Sequence, residues 1–171
     1  MVNVKIKKLT ETAKIPTKAH AEDAAFDLYA DIPDNTFTAW ETNETKQGIK
    51  IMPHTTVKIP VGIATEIPAG YWGAVFARSG LATKQGLRPA NCVPVIDAGY
   101  RGEWMVPIHN DSSEVQIIEH GERIAQMMIL PVINTVLEEV NSLEDSSRGA
   151  EALVILASSN RIDDNKIQFL F

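Results

Sequence analysis

At 171 residues, 44% of them apolar, the chain suits one domain built around a single core. A formal net charge of −6, without any block of like charges, excludes the electrostatic footprint of a protein that binds polymeric nucleic acid. The single cysteine, Cys92, excludes an internal disulfide and a cysteine zinc site, and no apolar run is long enough to span a membrane, so a cytoplasmic location is expected.

Taken in order, residues 2–9 alternate as a short strand with lysines facing out, and 10–23 are polar and read as a loop. Phe26-Asp27-Leu28-Tyr29-Ala30 predicts a strand. Residues 33–48 read as a polar excursion, after which 49–51 and 56–60 alternate on either side of a turn at Pro53. Strands are expected over 62–67 and 71–77, with Pro68-Ala69-Gly70 turning between them. Residues 81–86 suit a single helical turn closed by Gly86. Val95-Ile96 reads as the end of a strand, Ala98-Gly99 as a tight hairpin turn, and Tyr100 to Trp104 as the resumed strand. Further strands are expected at 106–108, 115–118, 123–133 (interrupted by Pro131) and 136–143. Short strands punctuated by Gly, Pro and Asn mean an all-β sandwich or barrel. Cys92 reads as a small buried hydrophobe. Trp40, Trp72 and Trp104 offer apolar surface for an interface. His20, His54, His109 and His120 show no metal-ligand spacing and read as surface or satisfied interior groups.

Four stretches carry chemistry. Asp27 sits in an otherwise apolar strand, where a carboxylate is costly unless paired, with Arg78 or Arg123 as the structural partners. Arg78-Ser79-Gly80 combines a guanidinium, a hydroxyl donor and a glycine that admits close backbone approach, a combination suited to phosphate. Asp97, at a turn, is either a turn-former or a positioned base. Gln126 follows Gly121-Glu122-Arg123 in an apolar run. These stretches, in this order and with Asn91 six residues before Asp97, resemble the trimeric dUTP pyrophosphatase (dUTPase) family from about Lys5 to Gly149.

The resemblance implies an all-β, dUTPase-like distorted jelly roll or β-clip barrel with at most one short helix. It also implies hydrolysis of dUTP to dUMP and pyrophosphate, with water attacking the α-phosphorus. Asp97 would be the base and Tyr100 the ring that excludes a 2′-hydroxyl. Asn91 would contact uracil, and Arg78, Ser79, Gly80, Gln126 and Arg148 would contact phosphates. Asp27 would support the site near the metal's water shell or an arginine. Mg²⁺ would ride on the triphosphate and water without direct protein ligands. A homotrimer is implied, with each site drawing on more than one subunit. Two other readings are a nucleotide-responsive regulator with a protein partner and a dCTP deaminase. The deaminase family usually has Arg-Ser-Ser where this chain has Arg78-Ser79-Gly80, and it lacks a tyrosine at the Tyr100 position.

Three positions depart from the pattern. Ala25 and Pro94 stand where the family often has glycine. The family's glycine-rich arm begins correctly at Ser147-Arg148-Gly149, but Ala150-Glu151-Ala152-Leu153-Val154-Ile155-Leu156 follows, without phosphate-wrapping glycines or a stacking aromatic. Domains are therefore expected at 1–147, the β domain, and 148–171, an atypical arm, with turnover below the family's ordinary level. A branched apolar run favours extended, buried structure over a mobile cover. Truncation after Gly149 should change kcat/KM by less than about tenfold while lowering thermal stability or solubility. A large loss of activity in a folded truncated protein would show that the arm closes the site.

Overall fold

A computed structural model describes the backbone of residues 2–32, 36–38 and 45–147. Two compact units divide the chain, 1–134 and 135–171. The described residues of the first form twelve strands and one helix: β1 (Lys5–Lys8), β2 (Phe26–Tyr29), β3 (Thr36–Thr38), β4 (Thr45–Ile51), β5 (Thr56–Pro60), β6 (Ile63–Glu66), β7 (Tyr71–Ala77), α1 (Ser79–Gln85), β8 (Leu87–Pro89), β9 (Val95–Ile96), β10 (Met105–Asn110), β11 (Gln116–Glu119) and β12 (Arg123–Pro131). All-β with one short helix is thus the architecture. Among the described residues no helix is long and apolar enough to cross a membrane.

Four small antiparallel sheets share the core, in the orders β1-β6, β5-β10-β8, β11-β4-β3 and β2-β12-β7-β9. The last positions the site. Its inner strand β12 pairs with β7 from Ala125–Ala77 to Pro131–Tyr71. On its other edge Gln126 lies opposite Asp27 and Met127 opposite Phe26. Strand β9 adds to the far edge of β7 with Gly73 opposite Ile96 and Ala74 opposite Val95. Leu28, Val75, Ile124, Ala125 and Met127 of this sheet are buried with Ile59, Val106 and Ile108 of the β5-β10 pair. Period-two alternation puts Ala125 and Met127 on one face of β12, whereas Ile124, next to Ala125, is buried where the register shifts between Arg123 and Ala125.

Helix α1 starts at Ser79 and ends at Gly86, a left-handed cap (φ +68°) whose N–H donates to the Leu81 carbonyl, as the glycine predicts. Trp104 fills the space beneath β7. Gly73 is small because of it, since a methyl there would meet Trp104 Cη2 at 2.9 Å. The indole N–H donates to Thr65 Oγ1 at 3.1 Å, so the polar edge of the ring is satisfied.

Several expectations are corrected. Asp97 does not lie on a hairpin, because β9 belongs to the sheet of β7 while β10 pairs with β5 and β8. The link between them crosses from one sheet to another, and a local turn signal carries no information about which strands flank it. Residues 100–104 form no strand. Trp104 is core, not interface surface, and Trp72 is half-buried; Trp40 lies outside the described residues. Strand β8, with one apolar residue between helix and turn, went unread. The 33–48 excursion contains hairpin β3-β4, registered from Thr36–Gln47 to Thr38–Thr45, and the rest of it lies outside the described residues. Residues 136–143 alternate yet form no strand, and Val136, Leu137 and Leu143 are exposed. Alternation supplies a face but not a ladder partner.

One network fixes the first loop to the barrel. Buried Asp31 accepts hydrogen bonds from Thr10 Oγ1 and, at 2.7 Å, Thr12 Oγ1. Gly62 sits against it at φ +65°, where a methyl would be 2.1 Å from Asp31 Oδ2. Gly62→Ala combines left-handed strain with a collision at a buried carboxylate, so it should cost about 3 kcal/mol or more. Urea denaturation of the folded protein checks this; a loss below about 1 kcal/mol would mean the loop moves freely.

Candidate active site

Strand β7 ends at Ala77, and the chain turns through Arg78 into the first residues of α1. This turn, β2 and the start of β12 border a cleft of about 770 Å³. Asp27, Arg78, Ser79, Gly80 and Gln126 all line it, which brings together five of the residues singled out from the sequence. Arg123, Cys92 and a wall formed by Ala19, Asp23, Ala24 and Ala25 also line it.

Asp27 is the hub. Its Oδ1 accepts from Arg78 Nε at 3.1 Å and its Oδ2 from Arg123 Nη1 at 3.0 Å. Both structural partners considered from the sequence are therefore engaged at once. Arg78 Nη1 also donates to the Arg123 carbonyl at 2.9 Å, so one carboxylate and one carbonyl fix the guanidinium plane. The carboxylate is well covered, with 14% of its side chain exposed, against 25% for Arg78 and 46% for Arg123. Neighbouring Glu122 feels burial differently: desolvation pushes its carboxyl above the ordinary range, against the bond it accepts from the Glu119 N–H at 3.1 Å.

Gln126 Nε2 donates to the Ala77 carbonyl at 2.9 Å, pinning the last residue of β7 just before Arg78. Ser79 and Gly80 are exposed at the opening of α1. The Thr83 hydroxyl donates to the Ser79 carbonyl at 2.6 Å and the Ala82 N–H to the Arg78 carbonyl at 3.0 Å, so the turn is held by its own helix. First-turn N–H groups have no intrahelical acceptor, and together with the Ser79 hydroxyl they can meet an anionic oxygen.

Asn91, Asp97 and Tyr100 are elsewhere. All three are exposed, and none of them lines the cleft. Ile96 is registered with Gly73, so Asp97 continues toward the Trp72 end of β7, whereas Arg78 follows the opposite end. At about 3.3 Å per residue, the five residues from Gly73 to Arg78 put the two groups roughly 15–20 Å apart within one chain. The Tyr100 N–H donates to the Asp97 carbonyl at 3.0 Å, closing the turn between them. Arg148 lies outside the described residues.

Sequence reasoning missed Arg123 as a site residue, although a lone cation opening an apolar strand was the available signal. It also misread Cys92, which is exposed at φ +54° and lines the cleft. A cysteine in the tight connection between β8 and β9 takes its environment from the fold of that connection, which composition does not reveal. Among the described residues no three His, Cys, Asp or Glu side chains converge to hold a metal. His120 Nδ1 accepts from the Ile32 N–H at 3.0 Å, and His109 Nδ1 bonds the Thr56 hydroxyl at 2.9 Å.

An all-β frame with two arginines, a hydroxyl and a helix opening in one cleft at a strand-to-helix turn suits a phosphate-bearing ligand. The comparisons narrow this. A family model described as dUTPase matches residues 11–153. The deoxyuridine 5′-triphosphate nucleotidohydrolase of Gloeobacter violaceus is 37% identical over 149 residues, covering 86% of this chain and 91% of that protein. Its counterpart in Desulfitobacterium hafniense is 48% identical over 104 residues, 60% of this chain and 69% of that one. The solved structure of the Staphylococcus bacteriophage 80alpha dUTPase with dUPNHPP is 26% identical with a TM-score of 0.68, covering 88% of this chain and 95% of that chain. The chain belongs to the dUTPase family.

Removing the charge of Asp27 would leave two guanidinium groups facing one another without a counter-charge. Asp27→Asn should cost about 1–3 kcal/mol and loosen Arg78. The change in urea midpoint measures it, and an unchanged midpoint would show that the two ion pairs contribute nothing to the fold.

Proposed function

We propose that the protein is a dUTP diphosphatase, hydrolysing dUTP to dUMP and pyrophosphate at sites completed between copies of the chain in a homotrimer. The observation that carries the shared site is the separation along β7. A base must reach the water attacking the α-phosphorus, and the phosphate donors must touch the same triphosphate. The wide separation of the Asp97 and Arg78 backbones in one chain supports a site whose base and phosphate donors come from different copies. A neighbouring copy that brings its Asp97 loop over the cleft satisfies both conditions.

Each residue then has a task. Asp97 takes the proton from the attacking water, whose oxygen bonds to the α-phosphorus as the bond to the bridging oxygen of the departing pyrophosphate breaks. Arg78, oriented by Asp27, supplies charge-assisted hydrogen bonds to the phosphates. Ser79 and the adjacent amides donate to phosphate oxygens. Gln126 sets the Ala77–Arg78 corner, and its amide faces the same cleft. Tyr100 packs against the deoxyribose, and Asn91 offers an amide donor and acceptor to uracil.

The cleft charges nearly cancel, with Arg78 and Arg123 set against Asp23 and Asp27. A triphosphate therefore needs further positive charge. Both Asp27 oxygens are already engaged by arginines, and the Asp23 carboxylate accepts from the His20 N–H at 2.8 Å. This donor set fits Mg²⁺ held by phosphate oxygens and water, with Asp23 and Asp27 bordering its hydration shell. When bound, the ion neutralises charge on the phosphates. Arg148 of the arm would add a cation.

Asp97→Asn should lower kcat by about 10²–10⁴-fold with folding intact. Arg78→Ala should also be nearly inactive. Mixing and reassembling the two variants should restore pyrophosphate release from dUTP, because some mixed sites pair an intact Asp97 with an intact Arg78. No recovery in demonstrably mixed oligomers would place the whole site in one chain.

A further inference from the structure

The eight residues from Asp97 to Trp104 carry two of the groups assigned above, yet they belong to no strand. Their ends are fixed. At one end β9 is laddered to β7. At the other, the Trp104 N–H donates to the Ile63 carbonyl at 2.9 Å, its carbonyl accepts from the Val61 N–H at 3.1 Å, and its ring is buried. Between those anchors, side-chain contacts replace the ladder. Arg101 Nη1 donates to the Ala98 carbonyl at 2.6 Å and to the Tyr100 carbonyl at 3.0 Å. The Tyr100 hydroxyl donates to the Glu103 carbonyl at 2.8 Å, and Glu103 Oε1 accepts from the Gly62 N–H at 3.0 Å. The tyrosine ring folds back over Gly102, where a methyl group would lie 2.5 Å from Tyr100 Oη and 2.7 Å from Cζ.

We propose that Arg101 and Gly102 are positioning residues, Arg101 setting the Asp97–Tyr100 turn and Gly102 seating the Tyr100 ring. The inference rests on the dUTP reading for what the pose accomplishes. Without Arg101, one backbone bond from the Tyr100 N–H to the Asp97 carbonyl would hold an exposed turn that has Gly99 at its centre. One guanidinium nitrogen bonded to two carbonyls fixes their separation, which water does not do, and charge-assisted bonds persist at an exposed site better than neutral ones. Gly102 acts by absence. Any side chain there would lift the ring from its seat, and because Tyr100 is 44% exposed its ring can swing outward without disturbing the core.

The test uses the full chain. Arg101→Ala should keep the melting temperature within a few degrees, lower kcat for dUTP by about tenfold or more, and regain part of it in tens of millimolar guanidinium chloride but not in equal urea or sodium chloride. Gly102→Ala should fold, shift the Tyr100 ring resonances in carbon-13 tyrosine NMR, and lower the ratio of kcat/KM for dUTP over UTP by about tenfold. With three tyrosines in the chain, Tyr100 is readily assigned. A kcat for Arg101→Ala within about twofold of the wild type, or a loss that guanidinium does not restore, overturns the role of Arg101. Unmoved Tyr100 resonances in Gly102→Ala overturn the role of Gly102. The resonances are read without turnover, so a wild-type protein that releases no pyrophosphate from dUTP fails the functional reading and not this one.

Discussion

Strand β7 is bonded to β12 along its length and to β9 at Gly73 and Ala74, and this double commitment decides where chemistry can happen. The C-terminal end of the strand hands the chain to Arg78 and the cleft. Its middle holds β9, and so places Asp97 toward the other end. The ladder fixes the strands from which the two groups emerge, over a core where Trp104 lies against Gly73. The separation of the two backbones is therefore set mainly by the sheet, and on the proposed reading two copies together bring such groups to one ligand.

Electrostatics point the same way. The chain carries a net charge of −6 and binds, on the proposed reading, a polyanion. Long-range attraction cannot do that work; local donors must. Asp27 looks counterproductive in a phosphate cleft, but it spends its charge on holding two arginines in place. A guanidinium already fixed by a carboxylate and a carbonyl loses little freedom when a phosphate arrives. Preorganisation of this kind exchanges net charge for geometry, and on the proposed reading the missing charge arrives with the substrate's metal ion.

Much of this was legible in the sequence because it is local. The strands expected over 56–60 and 71–77 match β5 and β7 residue for residue, and Gly86 marks the helix end. The buried carboxylate in β2 required a partner, and both arginines named for it are bonded to it. What could not be read depends on pairing between distant segments. The turn at Ala98-Gly99 exists, but only the sheet order shows that it joins two sheets instead of closing a hairpin. Residues 136–143 have strand-like alternation and no ladder in the described unit. Cys92 has the composition of a core residue and the position of a surface one. In each case the sequence specifies a preference, and a partner outside the window decides the outcome.

The exposure of the chemical groups is itself informative. Ser79, Gly80, Asn91, Asp97 and Tyr100 are all exposed in the single chain. Fixed dipoles and charges act weakly through water and strongly once water is excluded. On the proposed reading, a lone chain displays these residues to solvent, and a second copy covering them would both complete the set and exclude water. Such a design relies on loops that keep their shape before they are covered. The Asp97–Trp104 segment is held between the β9 ladder and buried Trp104, with Arg101 at its turn and Gly102 beneath its ring, and so meets that demand without a strand of its own.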